Sequence, residues 1–215
     1  MTQSEANQPS IRRPRRKWFG WSLIALTFLV LAVTIYIRTN PMVFNESFFG
    51  HAHCIPQAGL ALRQYAGEHW GNFPLHTNGY GDALLLLLAG HYASSYALTG
   101  PGYDSRVFDF ALLNHTDVPE TECGRVFIQG LTEANNQGLA ILFDKMPTPG
   151  GDYCHGWARI MAPLCREVLL VDGSHRTVQE TKWKEFSQNQ IGLLVKEGFD
   201  RAKAEALYAE RGKVR

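Results

Sequence analysis

His51, His53 and Cys54 crowd into four positions, and Cys154-His155 forms a second small cluster. Imidazole and thiolate are good zinc ligands. Neither cluster has a C-x2-C or H-x3-H spacing, and adjacent residues seldom both reach one ion. His51, His53, Cys154 and His155 therefore stand as candidate ligands without an assigned metal, and the absence of CxxCH leaves covalent haem unsupported. Cys154 could join a histidine as a nucleophile pair, but eight histidines make that choice arbitrary. Asp172, Ser174 and His175 carry the letters of a hydrolase triad, yet neighbours along a strand point to opposite faces. There is no GxSxG, no HExxH and no glycine-rich phosphate loop before a helix. Asp172-Gly173 reads as backbone geometry, a tight hairpin turn, and Gly150-Gly151 as a loop. No catalytic residue and no cofactor is assigned, and the chain is not expected to be an enzyme.

The four cysteines are Cys54, Cys123, Cys154 and Cys165. An even count in an exported domain favours disulfides, each worth about 2–4 kcal/mol. Three pairings are open, and the sequence does not choose among them.

The elements that must position these residues follow from periodicity and punctuation. Gln57 to Trp70 places Ala58, Ala61, Leu62, Tyr65 and Ala66 on one helical face, with Pro56 suited to the first turn and Gly71 to the end. A second helix is expected from Asp82, as N-cap, to Tyr92. Residues 99–124 repeat Gly, Pro, Asp and Thr and read as loop with short helical pieces. Arg125–Ile128 and Leu139–Phe143 read as strands. Arg166–Val171, Asp172-Gly173 and His175–Val178 form the strongest hairpin signature in the chain. Thr181 is expected to cap a helix Lys182–Lys196 whose apolar face uses Trp183, Phe186, Ile191, Leu194 and Val195, ended by Gly198. Asp200 to Glu210 reads as a short, charged, exposed helix. Helices followed by antiparallel strands predict an α+β fold with C-terminal helices.

Ahead of this body, Trp18 to Ile37 is a 20-residue run without a charged side chain. As a helix it would span about 30 Å, the thickness of a bilayer's hydrocarbon core, and the reading is a transmembrane helix. Arg12, Arg13, Arg15, Arg16 and Lys17 precede it, which orients the N-terminus to the cytoplasm and the body to the outside. The expected organisation is a basic cytoplasmic N-terminus (1–17), a membrane span (18–37), a connector (38–53), an extracytoplasmic domain (54–198) and a charged C-terminal helix or tail (199–215). The formal net charge of +1 hides this asymmetry, and from Arg38 onward acids outnumber bases. That balance excludes a nucleic-acid partner, which needs a concentrated basic face.

Three segments together resemble bacterial type IV pilin-like, or pseudopilin-like, envelope proteins. Lys17-Trp18-Phe19-Gly20 followed by Trp21-Ser22-Leu23-Ile24 resembles a prepilin leader, and the resemblance implies cleavage between Gly20 and Trp21. Cys54 followed by Gly59-Leu60-Ala61-Leu62, Tyr65 and Phe73-Pro74 is similar to a segment of large pilin-like families. Val168 to Ser174 resembles the strand–Asp-Gly–strand hairpin near the end of such proteins. Ala25 departs from the pattern, because the family usually carries glutamate there. The resemblance implies a helix packed on an antiparallel sheet and supplies no catalytic residues.

The expected function is that of a non-enzymatic, single-pass membrane-anchored envelope protein, pilin-like, structural or in surface- or secretion-related assembly. Its partners would be the lipid bilayer and other envelope or pilin-like proteins, with no small-molecule ligand assigned. The alternative is a membrane-tethered metal-binding protein or enzyme built on the His/Cys clusters.

Overall fold

A computed structural model describes residues 26–33, 55–150 and 162–209, and the chain divides into two units, residues 1–44 and 45–215. Of the first unit, residues 26–33 are described as helix, with Leu26, Phe28, Leu29, Val30 and Leu31 all more than half exposed. This corrects the expected transmembrane helix. Among the described residues no helix is long and apolar enough to cross a membrane. The rest of the stretch 18–37, with Gly20 and Trp21, lies outside the described residues.

The body is α+β, built on an antiparallel sheet. Helix α1 (Ile55–Glu68) buries Ile55, Ala58, Gly59, Ala61, Leu62 and Ala66, a stripe at helical spacing. It stops where Trp70 and Gly71 take left-handed backbone, and the Gly71 N–H returns to the Ala66 carbonyl. Helix α2 (Tyr80–Ala89) starts two residues earlier than the sequence suggests. Its N-terminus is capped from a distance: the Glu120 carboxylate accepts the Tyr80 N–H at 3.0 Å and sets a negative charge at the positive end of the helix. A short helix α3 (Ser95–Thr99) leads into the stretch 99–124, and α4 (Arg106–Asn114) is the short helical piece expected within it.

Strands β1 (Arg125–Phe127), β2 (Ala140–Asp144) and β4 (Leu164–Leu170) lie side by side, with β5 (His175–Gln179) on the far side of β4. The two-residue β3 (Thr148–Pro149) pairs with the start of β4. Val126 faces Phe143, which faces Val168, which faces Arg176, so this register runs through four strands. Helix α5 (Glu180–Lys196) follows β5 directly, and α6 (Arg201–Ala209) folds back against it.

Both faces of the sheet are covered. Leu169 packs closely on α1: a Cβ at Gly59 would sit 2.7 Å from the end of its side chain, so a larger residue there would have to displace that leucine. On the opposite face Phe143 stacks on Tyr208 of α6, with ring centroids 4.7 Å apart, and lies 5.4 Å from Trp183 of α5. Because α-helices lie on either side, β2 is buried throughout and reads as a continuous apolar run rather than an alternating one. The buried stripe of α5 includes Trp183 and Leu194, as expected, together with polar Ser187 and Gln190. The Gln190 side chain accepts the Ala140 N–H and donates to the Gly138 carbonyl, which pins α5 beside the register shift between Ala140 and Leu142.

Helix α6 also differs from its expected exposure, since Ala204 and Tyr208 are buried in the core. The Tyr208 hydroxyl has no hydrogen-bond partner among the described residues, and burial pushes its pKa well above the ordinary tyrosine value. Tyr208→Phe removes that unsatisfied group and is expected to stabilise the fold by about 1 kcal/mol. The raised pKa adds stability that is complete below the unfolded value, near 10, and is lost as pH rises beyond it. Urea melts at neutral pH and at about pH 11 should therefore show a steep loss in the parent and a shallower one in the variant.

Candidate functional site

The residues singled out for chemistry do not meet in one place. His51, His53, Cys54, Cys154 and His155 lie outside the described residues. Cys123 and Cys165 are both buried and no disulfide joins them; their sulfurs lie 3.7 Å from the Pro119 carbonyl and 3.4 Å from the Pro163 carbonyl, respectively. Asp172 and Gly173 sit in the turn between β4 and β5, with Gly173 at φ 79°. There the Asp172 carboxylate accepts both the N–H and the hydroxyl of Ser174, which holds its pKa below the usual carboxylate value. Arg63 of α1 donates to the Asp172 carbonyl. The turn is thus held by its own side chain and by the first helix.

The concentrated charge of the body lies within the sheet. Arg125 on β1 and Asp144 on β2 are 0% and 1% exposed and meet at 3.0 Å, Nε to Oδ1. Asp144 also accepts the Glu167 N–H at 3.2 Å, and Arg125 donates to the Ala97 carbonyl of α3. On the other face, Arg166 of β4 pairs with Glu180 at the start of α5 at 2.8 Å and lies over the Trp183 ring, 4.7 Å from its centre. Lys145 donates to the Glu120 carbonyl at 2.6 Å and stands over the Tyr80 ring. Each of these charges has a protein partner, so the network fastens strands and helices together.

Among the described residues, a groove and a smaller recess open at the surface. The groove, of about 630 Å³, runs between β5 and α5, bounded by Arg176, Val178, Lys182, Glu185 and Phe186. The smaller recess, of about 220 Å³, lies between α2 and α4, with Leu85, Leu86, Ala111 and Leu112 forming its apolar wall. Its polar end is built by His76, Asp82, His115 and Asp117. The loop before α2 positions His76 by donating its N–H to the Gln129 side chain at 2.7 Å. Asp82 stands in the first turn of α2 rather than at its N-cap, and its Oδ1 accepts the Val118 N–H at 2.6 Å. The other oxygen, Oδ2, has no hydrogen-bond partner among the described residues; the His76 Nδ1, which accepts the Asn78 N–H at 3.3 Å, stands 3.5 Å away. Asp82 is 5% exposed and His76 36%. His115 closes α4 in left-handed backbone at φ 52°, where its N–H meets the Ala111 carbonyl.

Sequence reasoning missed this pair. His76 lies in a loop six residues before Asp82, a spacing with no motif, and Asp82 reads as an N-cap. Among the described residues no three His, Cys, Asp or Glu side chains converge to hold a metal ion. No protein-family model, no curated protein and no solved structure matches the chain.

Proposed function

We propose that the chain is a non-enzymatic, pilin-like envelope protein that acts by docking to other proteins in surface- or secretion-related assembly. The observation that carries this reading is the outer face of α4, where Phe110 and Leu113, one turn apart, are 63% and 79% exposed. Large apolar side chains held side by side in water favour a protein partner. The order of the Cys54–Gly59-Leu60-Ala61-Leu62–Tyr65–Phe73-Pro74 segment and the Asp172-Gly173 hairpin supports the pilin-like part of the proposal. The basic stretch Arg12–Lys17 supports attraction to an anionic lipid surface.

Two sets of substitutions test it against the metal-dependent or enzymatic alternative. Phe110→Ser with Leu113→Ser should leave the melting temperature within a few degrees of the parent, because both side chains are already exposed. The same variant should lose co-fractionation with envelope assemblies. His53→Ala, Cys154→Ala and His155→Ala together should retain it. Retention by the first variant, or loss by the second with an unchanged melting temperature and with stoichiometric metal in the parent, would overturn the proposal.

A further inference from the structure

The geometry points to a second capacity, independent of docking: the recess between α2 and α4 binds an alkylammonium group, with Asp82 as its counter-ion. Asp82 is 95% buried on its side chain, yet one carboxylate oxygen is left without a hydrogen bond among the described residues. A buried carboxylate oxygen in that condition is costly unless a donor reaches it. The His76 Nδ1, 3.5 Å away, accepts the Asn78 N–H at 3.3 Å and so supplies no donor to that oxygen. A second carboxylate, Asp117, lines the same recess, while no lysine or arginine does among the described residues. The opening is therefore acidic without a built-in cation. An ammonium head offers three donors and a positive charge to the two carboxylates. Its short methylene stem would lie on Leu85, Leu86, Ala111 and Leu112. The volume of about 220 Å³ suits a stem of a few carbons rather than a nucleotide or a sugar chain.

His76 is the moving part. At 36% exposure its ring can swing outward by giving up the Asn78 N–H that its Nδ1 accepts at 3.3 Å, and its departure opens Oδ2 to the incoming ammonium. The Oδ1 bond to the Val118 N–H keeps the carboxylate in place meanwhile. The same chemistry is carried by a free small amine and by a lysine side chain on a peptide, and the two sources are separable by experiment.

The test is methyl NMR of the full chain titrated with butylammonium, with n-butanol as an uncharged probe of similar size. Saturable shifts are expected at Leu85 and Leu86, with butanol weaker by roughly tenfold or more. Asp82→Asn keeps an oxygen for the Val118 N–H but removes the charge, and should weaken butylammonium by roughly tenfold or more. Ala89→Phe lies on the exposed rim of the recess and should block entry while leaving both carboxylates intact, so the claim stays testable if the first variant folds poorly. Saturation of the same methyls by a capped Gly-Lys-Gly peptide would assign the group to a protein side chain. Saturation by butylammonium but not by the peptide would assign it to a free amine. Equal binding of butanol, undiminished binding by both variants, or shifts produced by zinc ion but not by butylammonium would overturn the proposal.

Discussion

Replacing Asp144 by alanine is expected to cost about 3–5 kcal/mol of folding stability. The reason is what remains behind. Arg125 is fully buried, and its Nε meets the Asp144 Oδ1 at 3.0 Å. Its bond to the Ala97 carbonyl supplies an acceptor but no counter-charge. The substitution also strips the acceptor used by the Glu167 N–H, so β2 and β4 lose a link in addition to the ion pair. Chemical denaturation is the measurement, with the midpoint falling at unchanged slope if the transition stays two-state. The double variant Arg125→Met with Asp144→Leu is expected to regain most of the loss, because buried ion pairs are often no better than well-packed apolar side chains of similar volume. A single-variant loss under about 1 kcal/mol would show that the arginine finds water or another partner, and would remove the pair from its structural role.

Phe143→Ala should be comparably severe, at about 3–5 kcal/mol. Phe143 lies at the centre of an aromatic cluster in which Tyr208 stacks at 4.7 Å with rings nearly parallel, and Trp183 tilts at 5.4 Å. Truncation leaves a void beneath two helices at once, and the polar Tyr208 hydroxyl gives α6 no alternative anchor among the described residues. The effect should therefore be larger locally than globally. Limited proteolysis is expected to cut near α6 in the variant under conditions where the parent resists, and cuts spread evenly over the body would contradict the assignment of Phe143 as the pin for the last two helices.

The parts of the fold legible in the sequence are those where one local signal suffices. Asp172-Gly173 supplies a left-handed turn between two β-rich runs, and the hairpin forms around it. Ala58, Ala61, Leu62 and Ala66 mark the buried stripe of α1 by their helical spacing. The bounds of α4 are hidden within a stretch read as loop with short helical pieces, because Gly100, Pro101 and Gly102 punctuate it and because Phe110 and Leu113 face water and break the apolar period. Arg125, Asp144, Arg166 and Glu167 are charges in strands that ordinarily mark solvent-facing positions; their burial follows from partners distant in sequence, Arg125 with Asp144, Arg166 with Glu180 of α5 and Glu167 with the Thr177 hydroxyl. The exposed reading of α6 fails for a related reason: two inward residues, Ala204 and Tyr208, are too few to raise a signal above the surrounding charge. His76 and Asp82 are brought together by the path of a loop, and no spacing rule reports that.

The contact of Gly59 and Arg63 with Leu169 and Asp172 joins the first helix of the body to a hairpin more than a hundred positions later. Such distant pairings are slow to close, since loop entropy must be met before the contact rewards it. During synthesis α1 has no sheet to rest on until β4 and its turn have left the ribosome, so the nascent chain stays open for most of its elongation. Late closure leaves the apolar stripe of α1 uncovered until the final third of the body is made, and that interval is when it is most open to wrong partners.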